Sequence, residues 1–247
     1  MRAWVLGSGG WIPAEERETA CVLAREGESA LLLDAGTGLS RLVEDSALLD
    51  GVLRLDIALT HFHLDHVCGL AYVPALPLTP TIWAPGRWLY GISSDELLDP
   101  LRTAPISPFS PEELGQVREL EPGRQEIGRF AVTTRAQDRH WAPTAGLRVG
   151  EDLALVTDTA YDPESAVLAR GVSHLLHEAW STSGDSIASD GDATAAQAAQ
   201  VASAARVGRL TLIHLNPLAA DDLALLADAS GRFPSVEVGR DATELVL

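Results

Sequence analysis

The chain is short of positive charge, of cysteine and of long apolar runs, and each shortage argues against a class of function. Its 247 residues carry 18 basic against 35 acidic side chains, a net charge of −17. A field of that sign repels phosphate backbones, and no Lys/Arg cluster reverses it locally, so an extended nucleic-acid footprint is disfavoured. A small anionic substrate held directly by metal ions stays open, because bound ions dominate the local charge. Two cysteines, Cys21 and Cys68, do not suggest a disulfide framework. Cys68, two residues after His66, reads as a small buried residue beside a site rather than as a metal ligand or redox-sensitive thiol. No apolar run approaches membrane-spanning length, and Met1–Leu6 meets Gly7-Ser8-Gly9-Gly10 too early to hold a signal peptide's apolar segment. The expectation is a cytoplasmic protein with a small-molecule substrate and no membrane partner; a homodimer is compatible with it.

Two common catalytic signatures are missing as well. There is no Gly-x-Ser-x-Gly elbow to present a serine nucleophile. The glycines at 7–10 are followed by Trp11-Ile12-Pro13 instead of a helix, so they read as a strand-end turn and not as a nucleotide cradle. With no evident repeat or linker, residues 1–247 read as one domain with a substantial core.

What the sequence does have is concentrated in Thr60-His61-Phe62-His63-Leu64-Asp65-His66. Three of the seven histidines fall within six residues here, too dense for a strand-end loop that is histidine-rich by accident. The apolar run 55–59 before them reads as a short buried strand, so the cluster begins where that strand ends. If the chain is still extended there, His61 and His63 leave the same face; Asp65 and His66 follow where a loop turns into a helix. Imidazoles and a carboxylate suit zinc, manganese or iron, and there are more donors than one tetrahedral ion takes from one segment.

The rest of the chain repeats this layout. Segments 19–24 and 30–33 look like a hairpin ending at Asp34, and 39–49 suits an amphipathic helix. Residues 74–112 are rich in proline and hold Trp83, Trp88 and Tyr90; they read as packed surface loops, and substrate specificity is expected to lie in them. A strand from Gln125 to Thr134 leads to His140. A hairpin of 147–149 and 153–156 leads to Asp158, Val172 to His177 leads to Glu178, and 210–213 leads to His214. Thr194-Ala195-Ala196-Gln197 has the form of a capping box opening a helix. His174 reads as packed or solvent-facing.

Polar strand ends from distant segments converge readily at one sheet edge. His61, His63, Asp65, His66, His140, Asp158, His177 and His214, all at strand ends, together make an inventory that suits a two-metal hydrolytic centre. Water held between ions about 3.5–4 Å apart becomes nucleophilic at neutral pH.

With these residues in place, His61-x-His63-x-Asp65-His66, His140, Asp158 and His214 resemble the metallo-β-lactamase fold superfamily. Within it the chain is similar to the ribonuclease Z and related phosphodiesterase branch. Leu6-Gly7-Ser8-Gly9-Gly10, Leu32-Leu33-Asp34-Ala35-Gly36, Thr157-Asp158-Thr159, His177-Glu178-Ala179, Thr194-Ala195-Ala196-Gln197-Ala198-Ala199 and Ile213-His214-Leu215 carry that likeness. The resemblance implies an α/β fold, an αββα sandwich with a dinuclear site at one edge. It implies His61, His63 and His140 on one ion, Asp65, His66 and His214 on the other, and Asp158 between them. Two departures stand out. Where that branch has a histidine just before the Gln-Ala-Ala helix to help protonate the leaving group, this chain has Asp192. Only 18 residues separate Asp158 from His177, too few for the branch's tRNA-binding arm, so tRNA processing is not expected. Candidate catalytic groups are therefore Asp65, Asp192, His177 and Glu178, the last equally suited to orienting a ligand histidine. The expected activity is a phosphodiesterase on a small or nucleotide-type diester. Lactone, ester or thioester hydrolysis is the alternative, and a metal-binding protein without turnover a third.

Overall fold

Side chains alternate so regularly along the strands that most central strands serve two cores at once. The computed structural model describes residues 1–185 and 190–247. Its strands are β1 (Arg2–Gly7), β2 (Cys21–Glu26), β3 (Ser29–Leu33), β4 (Arg54–Ala58), β5 (Thr81–Ala84), β6 (Gln116–Glu119), β7 (Gly123–Ile127), β8 (Phe130–Gln137), β9 (Thr144–Val149), β10 (Leu153–Val156), β11 (His174–Glu178), β12 (Arg209–Ile213), β13 (Val236–Val238) and β14 (Thr243–Leu245). They form two sheets of seven, in the orders β14-β1-β2-β3-β4-β5-β6 and β13-β12-β11-β10-β9-β8-β7.

On β3, Leu31 and Leu33 face the second sheet while Ala30 and Leu32 face helices on the outside. On β10, Leu153 and Leu155 meet the first sheet, and Ala154 and Val156 meet the opposite helices. A period of two with both faces buried gives three apolar layers, helix on sheet, sheet on sheet and sheet on helix. This is the αββα sandwich. Each fully buried leucine contributes roughly 1.5–3 kcal/mol to holding the layers together.

Each sheet is antiparallel at its β1–β3 or β7–β10 side and parallel beyond. Parallel strands end at the same edge, so β3, β4, β10, β11 and β12 deliver their following residues to one place. Loop–strand bonds bring the two edges together: Ala145 N–H donates to Thr60 C=O (2.9 Å), and Leu215 N–H to Ser8 C=O (3.2 Å).

Several sequence expectations need correction. Residues 39–49 are not one helix. Helix Ser40–Glu44 stops at Asp45, whose side chain accepts from Ala47 N–H and starts a separate 3-10 turn. The strand expected from Gln125 to Thr134 is a hairpin, because Gly128 takes φ 60° and turns the chain between β7 and β8. The proline-rich stretch holds β5 and helices Gly86–Tyr90, Ser94–Arg102 and Pro111–Leu114. The capping box is present: Thr194 Oγ1 accepts from Gln197 N–H, and the Gln197 side chain accepts from Thr194 N–H, opening helix Ala195–Ala205. No helix among the described residues is long and apolar enough to cross a membrane.

Candidate metal centre

The site is built where strands turn sharply out of the sheets. Asp34 follows β3 at φ 61°, Asp158 comes just after β10 at φ 52°, and His214 follows β12 at φ 51°. Left-handed backbone costs a non-glycine residue about 1–3 kcal/mol, and all three positions carry site groups. After β4 the chain bends at Thr60 and is extended at His63. His63 caps helix Leu64–Val67, which carries Asp65 and His66 in its single turn. Gly10 permits a close approach: a Cβ there would lie 2.6–2.8 Å from the His214 ring. The glycine-rich turn therefore serves the site by its lack of a side chain, and is no nucleotide cradle.

All seven residues expected as metal ligands converge. Donor atoms within 4.8 Å of one another group as His63, His140 and Asp158; as His61, His66 and Asp158; and as Asp65, His66 and His214. Asp158 divides its carboxylate between them. Its Oδ1 lies 3.6 Å from both His61 Nε2 and His140 Nε2, and its Oδ2 lies 3.2 Å from His66 Nε2 and 3.5 Å from His214 Nε2.

Behind the donors sits a layer of partners that fixes the imidazoles. Asp34, fully buried, accepts from His66 Nδ1 (2.9 Å) and from Thr60 N–H (2.7 Å) and hydroxyl. With the Thr60 hydroxyl donating to Asp34, its oxygen accepts from His61 Nδ1 at 2.9 Å. His140 Nδ1 donates to Gly191 C=O at 2.8 Å. In all three rings Nδ1 is engaged, so Nε2 is the nitrogen left to bind a cation once it has given up any proton, the arrangement a ligand histidine needs. His61 Nε2 is buried without a hydrogen-bond partner. A buried acceptor left unpaired is costly unless something fills the place, and a divalent cation fits this donor set.

The field of the site points the same way. Burial opposes charge on His214, yet Asp158, Asp65 and Glu178 together push its pKa up to about 10. Burial likewise opposes charge on His66, and Asp158, Asp34 and Asp65 outweigh it and raise that ring well above the ordinary value. His61 moves the other way, held neutral by burial and by the neighbouring His66. The carboxylates thus hold protons where a cation would sit, and metal binding at such a site releases protons.

The candidate catalytic groups separate. Asp65 and Asp192 line the cavity, of about 580 Å³, that opens over the donors. Asp65 Oδ2 accepts from Trp11 N–H at 2.8 Å. Asp192 precedes the helix cap Thr194 and lies 3.4 Å from His140 Nδ1, facing the site. Glu178 lies beneath, fully buried, accepting from the N–H groups of Asp158, Thr159 and Ala193. Its Oε2 is 3.5 Å from His214 Nδ1, and burial pushes its pKa up to about 7. His177 does not line the cavity. It is fully buried, and its Nδ1 donates to Glu178 C=O at 2.8 Å. His174 is buried between Val246 C=O and the Thr211 hydroxyl. Cys68 belongs to none of the donor groups found among the described residues.

Burial lowers the pKa of His177 to about 4. A histidine depressed in the fold stabilises it fully above its unfolded value near 6.5, and that stability is lost as pH falls toward 4. Denaturant unfolding of metal-free protein is expected to show His177→Gln losing a few kcal/mol less than wild type between pH 6.5 and 4. Parallel curves would contradict the buried neutral assignment.

The residues that sequence reasoning missed are Asp34 and the cavity walls. Asp34 ends a strand just as His214 does, so the strand-end rule applied to β3 finds it. The walls of this cavity, Trp11, Ile12, Leu64, Trp141 and Trp180, lie outside 74–112. The aromatics of that stretch are structural: Trp83 Nε1 donates to Asp56 (2.9 Å), Trp88 Nε1 to Leu120 C=O, and Tyr90 to Pro143 C=O (2.5 Å).

A family described as the beta-lactamase superfamily domain matches residues 30–215. The chain belongs to that superfamily. In sequence, this superfamily member is 29% identical to ribonuclease Z of Bradyrhizobium sp. (strain ORS 278), over 98% of each chain. It is equally identical to ribonuclease Z of Methanopyrus kandleri, over 96% of this chain and 94% of that one. In structure it superposes on the metallo-β-lactamase fold protein YhfI from Bacillus subtilis with a TM-score of 0.80, at 19% identity and 99% and 98% coverage. A diphosphatase from the PhnP family superposes at 0.75, with 16% identity and 100% and 97% coverage. The protein is a metallo-β-lactamase-fold hydrolase similar to ribonuclease Z, as the motifs implied.

Proposed function

We propose that the protein is a dinuclear metal-dependent phosphodiesterase acting on a small or nucleotide-type diester. The observation that carries this is the split carboxylate of Asp158, with one oxygen toward His61 and His140 and the other toward His66 and His214. His61, His63 and His140 would hold one ion and Asp65, His66 and His214 the second, with Asp158 shared; zinc, manganese and iron all suit these ligands. Divalent cations there supply Lewis acidity toward phosphoryl oxygens and make water acidic enough to attack at neutral pH.

The chain's own groups do the rest. Asp34 and Glu178 set the orientation of His66 and His214 from below. Asp192, on the cavity wall beside His140, is placed to deliver a proton to a departing oxygen. His177, out of reach of the cavity, has no part in that transfer.

The name of the curated relatives lends no support to excluding tRNA as substrate; that exclusion is our reading and has other grounds. The connection from β10 to β11 holds just the short helix Ser165–Leu168 and leaves no room for an arm. The alignment with the Bradyrhizobium protein runs over 306 positions against 247 residues here, so that relative has segments this chain lacks.

Assays of metal-loaded protein on bis(4-nitrophenyl) phosphate and on a simple lactone test the proposal. Diester turnover that disappears with chelator and returns with metal is expected. Turnover of the lactone alone would replace the proposal with the acyl-hydrolase reading.

A further inference from the structure

The chain contains no lysine, all 18 basic residues being arginine, and none of these lines the cavity over the donors. Arg139, next to His140, is turned toward Asp162 (3.7 Å). The mouth of the cavity carries large apolar side chains that are left in water: Trp141 is 73% exposed, Leu64 66% and Trp11 56%. A rim of that kind marks a surface meant to be covered.

Two of the cavity's indoles pack on site histidines. The Trp141 ring lies 4.6 Å from the His140 ring, and Gly191 fits beneath it so closely that a Cβ there would come 3.3 Å from Trp141 Cε2. At Trp11 it is the backbone that is fixed, its main-chain N–H donating to Asp65 and its φ at 62°, while the indole stands exposed. Trp180 lies 5.8 Å from the His214 ring at 34°. One indole therefore stands beside the His63 and His140 group, and two stand beside the Asp65 and His214 group.

We propose that this rim selects diesters whose non-leaving arm carries an uncharged aromatic ring, stacked on Trp141 with Trp11 as the second wall. The inference rests on the phosphodiesterase reading and names its substrate class. A neutral ring gains from the indole faces whatever its hydrogen-bonding pattern. An arm with a second phosphate or a carboxylate gains little from the indole faces, and no arginine lines the cavity to receive it. Nucleobases and simple aryl groups share the chemistry required.

Three diesters with a common 4-nitrophenolate leaving group separate the outcomes, their other arm being methyl, phenyl or thymidine 5′-yl. For wild-type protein loaded with metal, kcat/KM is expected to be at least about tenfold higher for an aromatic arm than for methyl, within the range stacking supplies. A preference for thymidine over phenyl assigns the ring to a nucleobase, and equal values assign it to any aryl group. Trp141→Ala and Trp11→Ala are expected to collapse the aromatic-to-methyl ratio, mainly through KM, while Trp141→Phe restores most of it and metal content stays at the wild-type level. Equal kcat/KM for all three arms, or a ratio untouched by both alanine variants, would overturn the inference alone. No turnover of any diester would overturn the phosphodiesterase reading, and the inference with it.

Discussion

Asp158→Asn is expected to lose bound metal and to drop kcat/KM by about 10²–10³ or more in a single step. Asparagine keeps the size of the side chain and tolerates the left-handed backbone at φ 52°. What it removes is the charge that both donor groups share, since Oδ1 faces His61 and His140 and Oδ2 faces His66 and His214. Asp158→Ala adds backbone strain to the same loss. Metal content by mass spectrometry, measured beside turnover, checks the expectation. An active variant with its full complement of metal would remove Asp158 from its place between the ions.

Asp34 is expected to matter nearly as much without touching an ion. Its carboxylate accepts from His66 Nδ1 and from the Thr60 N–H and hydroxyl, and through Thr60 it also sets His61. Losing the partner of a ligand histidine costs about 10–100-fold in metal affinity or activity. Asp34→Asn, which keeps an acceptor for Thr60, is expected to show that loss with a small change in stability. Asp34→Ala strands buried donors on Thr60 and His66 and is expected to destabilise the fold by a further 2–4 kcal/mol or so. Metal titration and denaturant unfolding read the two effects apart. Unchanged metal affinity in Asp34→Asn would show that His66 is positioned by its own packing.

How far the sequence revealed this follows from the physics of each element. The candidate ligands stand out in the sequence because strands with two buried faces are continuous apolar runs, so a polar residue that follows one is conspicuous. Asp158 and His214 follow such runs, His61 stands in the dense histidine cluster after β4, and His140 comes three residues after the alternating strand β8; the αββα sandwich was implied by the family resemblance. Asp34 went without a role because a lone carboxylate before Ala35-Gly36 looks like a turn residue until its partners appear. Strand β6, Gln-Val-Arg-Glu at a sheet edge, carries no apolar alternation to betray it, and β13 is three residues long. The break at Asp45 was hidden because apolar spacing continues across it, although the capping side chain interrupts the helix. The indole rim could not be read at all. Trp11, Trp141 and Trp180 are far apart in sequence, and exposure is decided by what the fold leaves uncovered.

The central claim is that two ions share one carboxylate and act together. Titrating metal-free wild-type protein with zinc, while following hydrolysis of bis(4-nitrophenyl) phosphate, tests it most directly. The account predicts activity that rises to a plateau at two equivalents per chain. Full activity at one equivalent, or undiminished turnover in the metal-free protein, would contradict it.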